Sequence, residues 1–224
     1  MSKFFLMDIT KENYIKAIFK AQQQLGGKFV STTALAERLR TKPSSISDMF
    51  KKLHRKKWVE YKAYKGVKLT DAGRQKALRI IRSHRLWELF LVNHLGFSWE
   101  EVHDLAERLE HISDEKLINA LDKFLNYPKQ DPHGEPIPDE MGKWRISGRK
   151  KLDETETGKT VDISGFKTDR PEFLQYLKKK NLLPGNRVKI LYKDEDDQIM
   201  ILEVEGKKQH ISYANARKIY VYEI

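Results

Sequence analysis

Four side chains that can bind a metal ion follow one another at helical spacing in the middle of the chain. They are His103, Glu107, Glu110 and His111, at offsets of 0, 4, 7 and 8 residues. An α-helix repeats about every 3.6 residues, so this spacing places all four on one stripe of a single helix. Imidazole nitrogens and carboxylate oxygens together suit divalent metals. The stripe therefore predicts a metal site.

A second pair of the same type precedes this stripe. His84 and Glu88 are four residues apart on a predicted long helix, so they also share one face. If the two stripes face each other, their six groups converge on divalent cations. A single His/Glu pair at this spacing is usually a solvated surface pair, and that alternative stays open for each pair taken alone.

Catalytic motifs are missing from the sequence. It contains no His-Glu-x-x-His motif, no glycine-rich phosphate loop, no Gly-x-Ser-x-Gly elbow and no cysteine. A metal-dependent hydrolase would need an open coordination position and a general base, and it would leave the charge distribution unexplained. We therefore expect a binding protein rather than an enzyme, with no small-molecule substrate.

The net charge of +11 is concentrated in the first third of the chain. Residues 1–75 hold 17 basic and 6 acidic residues, whereas the remainder holds 26 of each. Such a segregated basic region favours a polyanion such as nucleic acid. No apolar run reaches the ~18 residues of a membrane span, and no secretory signal is recognisable. We expect a cytoplasmic protein without a membrane partner.

The basic third has the element order of a winged helix-turn-helix. Periodicity and turn signals predict helices over residues 10–25, 31–39 and 44–56, with Thr10 as the first N-cap, followed by strands at 58–61 and 67–70. In this fold the start of the third helix meets base edges, and basic side chains beyond it and in the hairpin reach phosphates. The predicted DNA-binding residues are Ser44, Ser45, Ser47, Asp48, Lys51, Lys52, Arg55 and Lys65.

The rest of the chain separates into a helical part and a β-rich part. Helices are predicted over 71–95, 98–112 and 113–127, and they form either a self-association surface or a monomeric bundle. Short strands after residue 160 predict a small barrel. The fold class is thus mainly α with small β. The expected domains are a winged helix at 1–73, a helical metal-binding and dimerisation domain at 74–145, a linker at 146–160 and an SH3-like domain at 161–224.

The ordered motifs resemble the diphtheria-toxin-repressor family of metal-dependent regulators over nearly the whole length. The resemblance rests on Lys42-Pro-Ser-Ser-Ile-Ser, Tyr64-Lys-Gly-Val-Lys-Leu-Thr-Asp-Ala-Gly, His84-Arg-Leu-x-Glu88, Val102-His-Asp, Glu107-x-x-Glu-His111 and Pro132-His-Gly-x-Pro-Ile-Pro138. It implies a homodimer that binds Mn(II) or Fe(II), closes onto palindromic double-stranded DNA operators and represses metal-uptake genes. The C-terminal part resembles the SH3-like, FeoA-type domain of the longer members.

The same resemblance implies the ligand assignment. Glu107, Glu110 and His111 match the effector-metal site, and His84, Glu88 and His103 match the ancillary site. Glu107 stands where iron-type members present Cys, and a carboxylate there hardens the site, which favours Mn(II) over softer competitors.

Two positions depart from the family pattern. Asn13 stands where the family uses Met or Asp, and it can still offer an amide oxygen. Lys16 stands where manganese members have Glu, and it cannot ligate while protonated, which argues against a two-metal cluster. Glu172, with Gln175, could add a ligand from the C-terminal domain. The alternatives are an Fe(II)-dependent repressor and a winged-helix regulator with a vestigial metal site.

Overall fold

The computed structural model describes residues 3–99, 101–112, 114–144, 148–168 and 170–223, with side chains from Ile9 onward. The chain forms two compact units. The first contains residues 1–84, 109–115 and 138–143, and the second contains residues 85–108, 116–137 and 144–224.

The first unit contains the winged helix. Its elements are α1 (Lys3–Gln24), α2 (Thr32–Arg38), α3 (Pro43–Arg55), β1 (Val59–Lys62) and β2 (Gly66–Leu69). Strands β1 and β2 form an antiparallel hairpin in which Tyr61 pairs with Val67. The element order predicted from the sequence is confirmed.

Local sequence explains where these helices begin and which faces they bury. The Ser31 hydroxyl accepts a hydrogen bond from the Ala34 amide and caps α2, and Pro43 occupies the first turn of α3, where no amide donor is needed. Side chains at helical spacing then form the core, namely Ile15, Ile18, Leu35, Ile46, Phe50 and Leu53, all fully buried.

The hairpin is fixed against the preceding chain at Gly66. This residue has a φ of +104°, and a Cβ there would lie 2.0 Å from the Val30 carbonyl oxygen. Val30 also pairs with Val67 in an antiparallel bridge. Only glycine permits this close approach of two backbones.

Two details of the predicted first helix are wrong. Helix α1 begins at Lys3, so Thr10 lies inside it and is not the N-cap. Leu25, predicted as the last residue of this helix, lies beyond its end at Gln24 and is 43% exposed.

Helix α4 (Asp71–Leu95) matches the predicted span, while α5 (Val102–Leu109) and α6 (Glu115–Phe124) are shorter than expected. Helix α5 does not begin at Ser98, because the Ser98 hydroxyl donates to the Glu101 carboxylate within a turn that precedes the helix. Ser113, the expected start of the next helix, lies outside the described residues. In the second unit Leu86, Ile118, Leu121 and Ile137 form a small apolar cluster.

The C-terminal part of the second unit is a six-stranded antiparallel sheet. Its members are β3 (Lys150–Lys151), β4 (Thr160–Phe166), β5 (Arg187–Asp194), β6 (Ile199–Val204), β7 (Lys207–Ser212) and β8 (Ile219–Glu223), in the order β3-β8-β4-β5-β6-β7. Helix α7 (Pro171–Lys179) follows β4, and the short α8 (Tyr213–Ala216) precedes β8. Alternating residues of the strands and the apolar side of α7 build one core.

This region differs from the sequence-based expectation in two respects. A barrel is not confirmed, because β3 and β7 are the two edges of the pairing that the structure describes. The expected linker at 146–160 contains β3 and a 3-10 turn, Leu152–Glu154, whose Leu152 is fully buried in the sheet core. One apolar residue among polar neighbours was too weak a pattern to indicate this.

Within the described residues, no helix combines the length and the hydropathy that crossing a membrane requires.

Candidate metal centre

Glu110 is the centre of a buried polar cluster in the first unit. Its carboxylate oxygen Oε2 lies 2.6 Å from Lys16 Nζ and 2.6 Å from His84 Nδ1. Lys16 comes from the buried side of α1, His84 from α4, and Glu110 follows the end of α5. Burial opposes ionisation of Glu110, but His84 and Lys16 outweigh it and hold the pKa of its carboxyl below the ordinary value.

His111 is oriented by a second buried carboxylate. Its Nδ1 lies 2.7 Å from Glu12 Oε2, and Lys76 Nζ lies 2.7 Å from the other Glu12 oxygen. Burial opposes ionisation of Glu12, but His111 and Lys76 prevail and lower the pKa of its carboxyl. An ionised carboxylate only accepts, so His111 donates through Nδ1 and turns Nε2 toward Glu110.

One atom of this cluster fits a cation. Glu110 Oε1 is buried and makes no hydrogen bond to the described part of the chain, and it lies 3.6 Å from His111 Nε2. A buried carboxylate oxygen without a donor is costly unless a cation satisfies it. In metal sites, a histidine that binds the ion usually donates its other ring N–H to a carboxylate. His111 has this arrangement, with Glu12 on Nδ1 and Glu110 Oε1 near Nε2. The residues present therefore fit a divalent cation at Glu110 and His111.

The other two residues of the predicted stripe, His103 and Glu107, lie in the second unit. His103 Nδ1 is 3.3 Å from Glu88 Oε1, and His103 Nε2 is 3.8 Å from Glu107 Oε1. Glu88 is buried, whereas the Glu107 side chain is 51% exposed. His84 precedes Glu88 by one turn on the continuous helix α4. The structure thus pairs His84 with Glu110, and Glu88 with His103.

Glu88 also belongs to a group that sequence reasoning missed. Ligand atoms of Glu88, Asp131 and His133 lie within 4.8 Å of one another, and all three residues are buried. His133 Nε2 donates to the Trp99 carbonyl oxygen at 2.7 Å, so Nδ1 faces Glu88 Oε2 at 3.6 Å. The sequence signal for this group is His133 in the Pro132-His-Gly motif, two residues after Asp131.

The charges around this second group explain its titration. Burial and the neighbouring Glu88 carboxylate raise the pKa of Asp131 to about 7. Burial alone would lower the pKa of His133, but Glu88 and Asp131 outweigh it and raise that pKa to about 9. The buried Arg85 guanidinium lies beside Asp131 and forms an ion pair with Glu135. Negative charge around Glu88 is therefore partly neutralised without a metal ion.

Three expected contributors have exposed side chains. Asn13 is exposed, and its neighbour Glu12 is the residue of α1 that contacts His111. Glu172 and Gln175 are exposed on α7. Helical periodicity could have found Glu12, because residues 12, 15, 16 and 19 share the buried side of α1, whereas residue 13 does not.

The predicted DNA-binding residues lie on the surface of the winged helix. Ser44, Ser45 and Asp48 are exposed at the start of α3, and the half-buried Ser47 donates to the Pro43 carbonyl. Further along, Lys51, Lys52 and Arg55 are exposed. In the hairpin, Lys65 Nζ lies 4.9 Å from the centre of the Phe29 ring. The side of α3 opposite its core stripe is thus polar and basic.

A winged helix, a buried carboxylate and imidazole centre, and a small C-terminal sheet are together the architecture of metal-dependent transcriptional regulators. Three family models match the chain. They are "Iron dependent repressor, N-terminal DNA binding domain" at residues 7–67, "Iron dependent repressor, metal binding and dimerisation domain" at 70–139, and "FeoA domain" at 150–223.

Solved structures of individual repressors are similar to this chain over nearly its whole length. A solved manganese-dependent transcriptional repressor in complex with manganese is 32% identical, with a TM-score of 0.84, over 95% of this chain and 99% of that chain. The structure of ScaR with bound Zn²⁺ is also 32% identical, with a TM-score of 0.78, over 96% of this chain and 99% of that one. The chain therefore belongs to the iron-dependent repressor family.

A curated relative is the iron-dependent repressor IdeR of Mycobacterium leprae. It is 34% identical over 129 residues, which are 58% of this chain and 55% of IdeR. The match thus spans about half the length of that relative.

Proposed function

We propose that this protein is a metal-dependent transcriptional repressor that uses Mn(II) to control binding to DNA. The observation that carries the proposal is the buried centre at Glu110 and His111, which is built partly from helix α1 of the winged helix. A cation bound there supplies positive charge to Glu110 Oε1, a buried oxygen that makes no hydrogen bond to the described residues.

Helix α1 connects the metal centre to the hairpin of the winged helix. Glu12 and Lys16 connect α1 to the centre. Two turns further along, Gln22 Oε1 accepts a hydrogen bond from the Leu69 amide of the hairpin at 2.9 Å. The position of α1 is therefore tied both to the cation ligands and to the hairpin. Occupancy of the centre favours one arrangement of the winged helix, and DNA that prefers this arrangement binds more tightly.

The oxygen-rich ligand set favours Mn(II). In addition to Glu110 and His111, we assign Glu107 to this effector site. No thiolate is present, and carboxylate oxygens suit Mn(II) better than softer metals. Fe(II) is the second candidate, since IdeR is named an iron-dependent repressor. Glu88 with His84 and His103, or with Asp131 and His133, forms the ancillary site.

The partner is double-stranded DNA. We assign DNA contacts to Ser44, Ser45, Ser47, Asp48, Lys51, Lys52, Arg55 and Lys65, and a palindromic operator bound by a homodimer matches the family pattern. Phe90, His94 and Phe124 form an aromatic cluster in which Phe124 is 62% exposed, and this is the surface we assign to the dimer. Control of metal-uptake genes is the expected role.

Fluorescence anisotropy tests the proposal. Palindromic DNA from upstream of the protein's own gene or of a metal-transporter gene is titrated at fixed salt with chelator, Mn(II), Fe(II) or Zn(II). We expect Mn(II) to tighten binding by about 5- to 150-fold, the range of a typical allosteric coupling. The double variant Glu110→Ala/His111→Ala should lose this response, whereas Glu115→Ala, which removes an exposed ion pair with Arg79, should keep it. Equal affinity of the wild type with Mn(II) and with chelator would exclude the proposal.

A further inference from the structure

Lys16 places a positive charge inside the proposed metal centre. Its side chain is only 8% exposed, and Nζ lies 2.6 Å from Oε2 of the fully buried Glu110. A buried pair of this kind is not a loose surface contact, since losing either partner leaves an uncompensated charge. The ammonium group is therefore part of the centre.

The two oxygens of Glu110 have different surroundings. Oε2 accepts a hydrogen bond from Lys16 Nζ and lies 2.6 Å from His84 Nδ1. Oε1 faces His111 Nε2 at 3.6 Å and makes no hydrogen bond to the described residues. A carboxylate that bridges two cations uses one oxygen for each. Here the covalently tethered ammonium already occupies one of the two positions.

We propose that Lys16 is a built-in cation that takes the place of a second metal ion, so that this centre binds one divalent cation through Glu110 Oε1 and His111. The inference rests on the proposed metal-dependent function and specifies the number of ions in that site. The ammonium group occupies Oε2, so that only Oε1 of the Glu110 carboxylate is left for a metal ion. Its positive charge also repels a second dication at Oε2.

Two substitutions separate the charge of Lys16 from its packing. Lys16→Met keeps an unbranched side chain of similar length but removes the charge, so we expect one Mn(II) ion bound about tenfold more tightly. Lys16→Glu reverses the charge beside Glu110, so we expect a second Mn(II) ion to enter. Lys20→Met, one turn further along α1, is the matched control and should behave as the wild type.

Electron paramagnetic resonance and calorimetry with MnCl₂ test the inference on the full chain. All variants carry Glu88→Ala, which removes a ligand from the ancillary groups. With Lys16 present, we expect one Mn(II) per chain and the six-line spectrum of an isolated ion. Lys16→Glu should bind two and show the spectrum of an exchange-coupled pair.

Two results would overturn the inference. One is a coupled pair with Lys16 present. The other is weaker or unchanged Mn(II) binding in a folded Lys16→Met variant, measured at several pH values so that an effect of Lys16 on the ionisation of Glu110 is separated from its repulsion of the metal ion. If Lys16→Glu does not fold, the Mn(II) affinity of Lys16→Met still tests the inference. Absence of any Mn(II) uptake at the wild-type centre would instead contradict the proposed function itself.

Discussion

Replacement of Glu12 by Gln should weaken Mn(II) binding even though Glu12 is not assigned as a ligand. Glu12 Oε2 lies 2.7 Å from His111 Nδ1, and both side chains are at most 8% exposed, so the carboxylate fixes the ring and its tautomer. Loss of such an outer partner typically costs 10- to 100-fold in metal affinity. Gln can still accept from Nδ1, but a neutral acceptor is roughly half as strong as an ionised one.

We therefore expect about a tenfold loss for Glu12→Gln and about a hundredfold loss for Glu12→Ala, equivalent to ~1.4 and ~2.8 kcal/mol. Isothermal calorimetry with Mn(II) measures both. Glu115→Gln is the control, because its ion pair with Arg79 is exposed. Circular dichroism checks that each variant is folded. If Glu12→Ala binds Mn(II) within twofold of the wild type, the carboxylate does not orient His111 and the reasoning fails.

Three further predictions concern other parts of the molecule. The pKa of His133 is raised to about 9, so the stability that its protonated form contributes is complete below pH 6.5 and is lost as pH rises through 9. In the metal-free protein, the urea midpoint of unfolding should therefore fall over this pH range, and that of His133→Gln should not. The same change of midpoint with pH in both proteins would contradict the assignment. Gly165→Ala should destabilise the protein by about 2 kcal/mol more than Gly158→Ala. Both glycines have a positive φ, but only at residue 165 would the added Cβ meet backbone, 2.5 Å from the Gly134 oxygen. Equal melting temperatures of the two variants would refute this. Lys52→Ala should reduce the salt dependence of DNA binding by about one unit of slope, whereas Lys180→Ala, beyond α7, should leave it unchanged.

Sequence periodicity was sufficient where one face of an element is continuously apolar. Helix α3 shows Ile46, Phe50 and Leu53 at helical spacing, and the structure buries all three. Strand β6 alternates in the same clear way, with Met200, Leu202 and Val204 buried. In such segments burial follows directly from local spacing, so the winged helix and the strands could be predicted.

The site was only partly predictable, because its polar contacts join residues far apart in the sequence. His84 and Glu110 are 26 positions apart and Glu12 and His111 are 99, and no local pattern shows which histidine meets which carboxylate. The exposed Asn13 and the buried Glu12 are adjacent letters whose roles depend on the helix face. Lys16 could be seen as a non-ligand, but its contact with Glu110 Oε2 required the fold.

The central claim is that Mn(II) binding and DNA binding are coupled through the centre at Glu110 and His111. Thermodynamic linkage requires this coupling to be reciprocal. The most direct test is calorimetric titration of Mn(II) into the protein with and without saturating operator DNA, at the same salt and pH. We predict that DNA tightens Mn(II) binding by the same factor by which Mn(II) tightens DNA binding. In Glu110→Ala/His111→Ala, neither ligand should change the affinity for the other. An Mn(II) affinity that is the same with and without DNA would contradict the account.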